Sequence, residues 1–106
     1  MSYAVIFTTV SDTKTAQSIA DALLSQNLAA CVSVGGVFST YKWQGKVERA
    51  EEIELKIKTK AKHYKKIEKL INSLSGYEVS EVLMFEVKKG SEEYLKWIDK
   101  SLKVKK

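Results

Sequence analysis

Leu28-Ala29-Ala30-Cys31-Val32-Ser33-Val34, then Tyr41-Lys42-Trp43-Gln44-Gly45-Lys46-Val47, then Glu51-Glu52-Ile53-Glu54-Leu55-Lys56-Ile57-Lys58-Thr59-Lys60: this stretch decides the fold. Two long β-prone runs meet at Gln44-Gly45, where glycine can supply the positive φ of a tight turn. Each arm is about a dozen residues or more, against about 5–6 in an ordinary strand. A small domain cannot cover so long a ribbon with its own core. The excess edge predicts pairing with another subunit.

Upstream, Tyr3 to Val10 is β-branched and aromatic and reads as a first strand. Ser11-Asp12-Thr13 offers N-caps to a helix carrying Ala16, Ile19, Ala20, Leu23 and Leu24 at helical spacing. Asn27 suits the left-handed residue that ends it. Within the ribbon, Gly35-Gly36 predicts a bulge or bend. Ile53, Leu55 and Ile57 alternate with Glu54, Lys56 and Lys58, so one face is core and the other wet.

Downstream, Ala61 to Leu74 reads as a helix with the core stripe Tyr64, Ile67, Leu70, Ile71 and Leu74, stopped by Gly76. Val79 to Val87 is apolar on both faces and predicts a central strand. Ser91 is placed to cap a last helix, with Glu92 and Glu93 in its first turn and Leu95, Ile98 and Leu102 along its apolar side. The order β-α-β-β-α-β-α predicts an α+β fold. Its first six elements form a ferredoxin-like βαββαβ sandwich with a long β2-β3 hairpin, and the seventh is an extra C-terminal helix.

The 106 residues predict one domain, 1–106, large enough for one ordinary core. With 44% hydrophobic and 29% charged residues the composition is that of a soluble globular protein. Cys31 is the only cysteine, which excludes an intrachain disulfide and fits a reducing, cytoplasmic setting. No signal peptide and no apolar run of the roughly 20 residues that span a bilayer is visible, so no membrane partner is expected. The net charge of +5 is uneven: lysines crowd Lys56 to Lys69 against Glu68 alone. That run reads either as a polyanion patch or as a solvated face. Arg49 is the only arginine, and arginine is the residue that clamps phosphates and base edges best.

The motifs resemble those of the CutA family, the divalent-cation tolerance proteins, in family order. They are Leu28-Ala29-Ala30-Cys31-Val32, Tyr41-Lys42-Trp43-Gln44-Gly45-Lys46, Leu55-Lys56-Ile57-Lys58-Thr59, Tyr77-Glu78-Val79-Ser80-Glu81 and Glu93-Tyr94-Leu95-Lys96-Trp97-Ile98. The opening Phe7-Thr8-Thr9-Val10 is similar too, and the resemblance covers essentially the whole chain. It implies a ferredoxin-like subunit, a homotrimer, and a link to copper and other divalent cations. It implies no enzymatic reaction and no organic cofactor. The family commonly has His-Pro-Tyr where this chain has Ser75-Gly76-Tyr77, and a proline where it has Ser80. The imidazole proposed to bind copper in relatives is therefore missing here, and its role does not carry over.

Cys31 is the one soft ligand, suited to copper(I) or zinc, and equally a small hydrophobe in an apolar strand. The other histidine or cysteine available is His63 alone, so no closed metal site of ligand spacing exists. Glu51, Glu52, Glu54, Glu78 and Glu81 are harder ligands that can hold a divalent cation at a subunit boundary or pair with Lys56, Lys58 and Arg49. The candidate metal ligands are accordingly Cys31, Glu52 and Glu81. Lys58, Tyr77 and Glu78 are expected to line a ligand cleft between subunits, as in the PII-type signalling trimers that share this fold. Tyr41 and Trp43 share one face near the ribbon tip and are expected to anchor the oligomer interface. No Ser-His-Asp set and no phosphate loop is present, since Gly35-Gly36 lacks the Lys-Ser/Thr that would follow.

These readings converge on a cytoplasmic homotrimer that binds a metal or small ligand in clefts between subunits, with a tolerance or sensing role. The alternative is a nucleic-acid-binding module of the same fold. It would need aromatic residues on the open sheet face. The Gly-aromatic motif of such modules is absent and the face is expected to be aliphatic, so no specific nucleic acid is expected as partner.

Overall fold

The computed structural model describes residues 2–103. Strands β1 (Tyr3–Val10), β2 (Cys31–Trp43), β3 (Lys46–Lys60) and β4 (Leu83–Glu86) form one antiparallel sheet of order β2-β3-β1-β4. Helices α1 (Thr13–Ser25) and α2 (Tyr64–Leu74) pack on one face of it, and α3 (Glu92–Ser101) follows β4. This is the ferredoxin-like order read from the sequence, with the extra C-terminal helix.

The core lies between the sheet and the first two helices. Ile6 and Val10 of β1 and Leu55 and Ile57 of β3 meet Ile19 and Leu23 of α1 and Ile67 and Ile71 of α2, all buried. Each such side chain contributes about 1.5–3 kcal/mol by leaving water. Asp12 caps α1 by accepting from the Thr15 N–H at 2.7 Å. Asn27 ends that segment at φ 57°, the left-handed conformation expected of it.

The ribbon is as long as its sequence implied. β2 and β3 stay in register without interruption from Cys31↔Lys58 to Trp43↔Lys46. Gln44 and Gly45 turn the chain with φ of 52° and 79°, the pattern of a type I′ hairpin. No bulge occurs at Gly35-Gly36, which pair in order with Glu54 and Ile53. Nothing lies within 4 Å of where their Cβ atoms would be, so the edge there is simply bare.

Three further expectations are corrected. The last strand is not central: it shrinks to Leu83–Glu86 on the sheet edge, with its large apolar side chains exposed. It is apolar on both faces, yet within this chain Leu83, Met84 and Phe85 stay exposed. The predicted helix over Ala61 to Leu74 begins as a short 3₁₀ turn at Ala61–His63. Ser91 stands at the N-cap of α3, yet its side chain makes no capping bond.

α3 covers one end of the sheet face that α1 and α2 leave open. Ile98 and Leu102 pack on Ala30, with Tyr3 and Leu95 beside them. Asp99 then pairs with the buried ammonium of Lys60 and accepts the Tyr3 hydroxyl at 2.8 Å. The rest of the open face stays bare. It carries the edge-to-face pair Phe7 and Phe85, centroids 5.4 Å apart, beside Leu83, so it is aromatic as well as aliphatic.

Candidate functional site

β3 alternates, so Glu52, Glu54, Lys56 and Lys58 all point to the open face while Ile53, Leu55 and Ile57 point to the core. On β2 the residues matching that open face are Cys31, Ser33, Val37, Ser39, Tyr41 and Trp43. The sequence thus lays carboxylates and aromatics at one end of the ribbon's open face and lysines at the other.

At the acidic end lies a cleft of about 310 Å³. Tyr41 and Trp43 of β2 and Glu52 of β3 form one wall. Tyr77, Glu78 and Glu81, from the loop that joins α2 to β4, form the other. The loop is held by its own serines. Ser75 is buried, shares a 2.6 Å hydrogen bond with Ser80, and accepts from the Tyr77 N–H at 3.3 Å. Gly76 takes φ 79° between them, a conformation that glycine adopts without strain. Tyr77 is thereby aimed across the cleft, and its hydroxyl donates to Glu52 Oε2 at 2.7 Å.

Burial, then the bond to Glu52, hold the Tyr77 hydroxyl far above the ordinary tyrosine range. Glu81 is pushed up by burial and by the nearby carboxylates of Glu54 and Glu52. The cleft is therefore a place where negative charge is crowded and only partly hydrated.

Lys58 and Cys31 lie elsewhere. They face each other across the β2–β3 ladder, with Lys58 Nζ 4.0 Å from Cys31 Sγ and donating to Ser33 Oγ at 2.6 Å. Six strand residues separate Lys58 from Glu52, a distance of about 20 Å. Within one chain, then, Tyr77 and Glu78 come together with Glu52 and Glu81, and Lys58 does not join them. The same separation removes Cys31 from the carboxylates. Among the described residues no group of three His, Cys, Asp or Glu side chains is close enough to hold a metal ion. The expected set Cys31, Glu52 and Glu81 does not fit a metal within a single subunit. His63, lowered by burial and by Lys62, Lys66 and Lys60, sits on the 3₁₀ turn beside the basic helix.

Sequence reasoning missed Ser75 and Ser80 as the loop's fastening, although both stand where the resemblance breaks. It also missed the link from Tyr3 and Lys60 to Asp99. No local pattern signals contacts between residues so far apart in the chain.

A ferredoxin-like sheet with an overlong ribbon, and an acidic, aromatic cleft between that ribbon and the α2–β4 loop, defines a small α+β protein. The chain belongs to the CutA1 divalent ion tolerance protein family, whose model matches residues 4–101. It is 37% identical over 95 residues to the divalent-cation tolerance protein CutA of Thermus thermophilus, covering 89% of this chain and 92% of that one. Against the CutA of Escherichia coli it is 34% identical over 100 residues, 93% of this chain and 89% of the relative. The solved structure of CutA from Xylella fastidiosa superposes with a TM-score of 0.90 at 38% identity, covering 95% and 98% of the two chains. A periplasmic divalent cation tolerance protein CutA from Archaeoglobus fulgidus superposes with a TM-score of 0.92 at 28% identity, covering 95% and 99%. No helix among the described residues is long and apolar enough to cross a membrane.

Proposed function

We propose that the chain works as a homotrimeric divalent-cation tolerance protein in the cytoplasm, without enzymatic activity, and that its working surface is the cleft between the ribbon and the α2–β4 loop. In the trimer this cleft lies at a subunit boundary and takes a small ligand or a divalent cation, as a sensor rather than a catalyst. The observation that carries the reading is the Tyr77–Glu52 hydrogen bond, which fixes a half-buried carboxylate at the mouth of the exposed ribbon. Exposed Phe38 and Val47 on the ribbon, and exposed Leu83 and Phe85 on the opposite edge strand, supply the apolar surface for subunit contacts. Tyr41 and Trp43 stand where cleft and ribbon meet and anchor the boundary. A metal bound there draws ligands from more than one subunit. Copper enters through the family resemblance, with Cys31 as the soft ligand.

The reading is tested in a host lacking its own family member, grown in raised copper or zinc. Wild type restores growth, and Tyr77→Phe with Glu52→Gln does not. Full rescue by that double variant contradicts the cleft as the working surface.

The nucleic-acid alternative has one observation in its favour, the aromatic pair on the open sheet face. Phe7 and Phe85 stand at 88° to each other, so only one ring of the pair can lie flat against a base. Stacking platforms present successive flat rings.

A further inference from the structure

The helix layer carries a charged surface that the cleft does not use. Lys62, on the 3₁₀ turn, and Lys65, Lys66 and Lys69, on α2, are all exposed. Steps of three and four residues link them, so they share one helix face and neighbour one another. On the other side of α2, Ile67 and Ile71 are buried against the sheet. The lysine face therefore turns away from the open sheet face, where subunit contacts are expected.

No acid neutralises this face. Among the described residues no ion pair joins these four lysines to a carboxylate. Glu68, the one acid from Lys56 to Lys69, accepts the Tyr64 hydroxyl at 3.0 Å. The first turn of α2 holds no acid either. The positive end of the helix macrodipole there adds to the lysines rather than opposing them. Like charges at this spacing also destabilise a helix, so the face is held against its own repulsion. His63 registers the crowding, lowered by burial and then by Lys62, Lys66 and Lys60.

From Lys62 to Lys69 the helix advances about 10 Å. Duplex nucleic acid presents about one phosphate charge per 1.7 Å of its axis, so about six over that length. A dense linear polyanion thus matches the spacing of the ammonium groups. An anionic bilayer fits less well. An interfacial helix holds on by inserting an apolar face, and the apolar face of α2 is already buried. Lysines meet phosphates as point charges without reading bases, and Arg49, the only arginine, lies away on β3.

We propose that the exposed face of α2 docks on the phosphate backbone of duplex nucleic acid, irrespective of sequence. Each lysine displaces condensed counterions from the backbone, and their release drives binding. This surface is separate from the cleft and does not depend on the reading given to it.

The test titrates two short labelled DNA duplexes of unrelated sequence with the full-length protein, read by fluorescence anisotropy at about 50 and about 200 mM salt. Both duplexes are expected to bind alike. Affinity should fall about a hundredfold between the two salts, as four phosphate contacts require. Lys65→Gln with Lys66→Gln and Lys69→Gln should weaken binding at least about tenfold at the lower salt. Lys14→Gln with Lys96→Gln and Lys100→Gln removes as much charge from α1 and α3 and should cost far less. Equal losses in the two triple variants overturn the proposal, because net charge alone would then set the affinity. Absence of binding at the lower salt overturns it too, as does a strong preference for one duplex. Vesicles containing phosphatidylserine form a parallel arm. Vesicle binding that is lost in the α2 variant, without duplex binding, assigns the face to a membrane and overturns the proposal.

Discussion

Ser75 and Ser80 hold the two ends of the Tyr77 loop together with a single 2.6 Å hydrogen bond. They occupy the places where the family resemblance offers histidine and proline. A side-chain clasp here takes over the stiffening that a proline ring gives elsewhere, and Ser75 also receives the Tyr77 N–H.

Ser75→Ala is therefore expected to destabilise the protein by about 1 kcal/mol, the worth of a typical hydrogen bond with a buried partner. Urea denaturation reads the change. An unaltered midpoint would mean that the clasp is incidental to the loop.

Copper should report the missing imidazole. Copper(II) is expected to bind weakly, and copper(I) only through Cys31, the one thiolate available. Calorimetry on wild type and Cys31→Ser checks both. Tight copper(II) binding that survives Cys31→Ser would point to a ligand set other than this one.

Tyr77 should resist ionisation. Its value is raised by burial and by Glu52, so the neutral phenol is favoured in the folded state. The resulting stability is complete below the unfolded value of about 10 and is lost as pH rises through the higher folded value. Tyr3, Tyr64 and Tyr94 are raised as well, but Tyr77 most, so an alkaline absorbance titration should lose its latest-titrating tyrosine in Tyr77→Phe. The same substitution leaves a Glu52 oxygen without its donor, a loss of about 1–3 kcal/mol. A wild-type titration superimposable on that of the variant would show the bond to be absent in solution.

Asp99 moves the other way. Its hydrogen bond from Lys60, then that from Tyr3, hold its carboxyl below the usual range. The stability it gives to α3 docking is present above the unfolded value of about 3.9 and is lost as pH falls through the folded one. Trp97 on α3 is the reporter: its fluorescence should change on acidification below about pH 4 and be far less pH-dependent in Asp99→Asn. An acid transition identical in the variant would assign it to other carboxylates.

Much of this was legible in the chain. Alternation at Ile53, Leu55 and Ile57 placed the core face, and Gln44-Gly45 and Asn27 marked turns because positive φ is a local property with a local signature. The strand at Leu83–Glu86 was misread because apolar residues on both faces signal burial without saying by what. Gly35-Gly36 looked like a bulge because glycine tolerates many conformations and demands none. The cleft was half visible: Tyr41, Trp43, Tyr77, Glu78, Glu52 and Glu81 were each singled out. Their meeting within one chain, and the distance of that chain's own Cys31 and Lys58 from it, depends on where β3 runs past the α2–β4 loop, which no local pattern encodes.

The ribbon and cleft are expected to belong to a subunit boundary, and mass in solution tests that most directly. An obligate interface built on so much exposed apolar surface buries more than roughly 2,000 Å² and persists at micromolar concentration. Light scattering at that concentration should give three times the 12.0 kDa of one chain. A monomeric mass would contradict the trimer and turn attention to the open sheet face as a nucleic-acid platform.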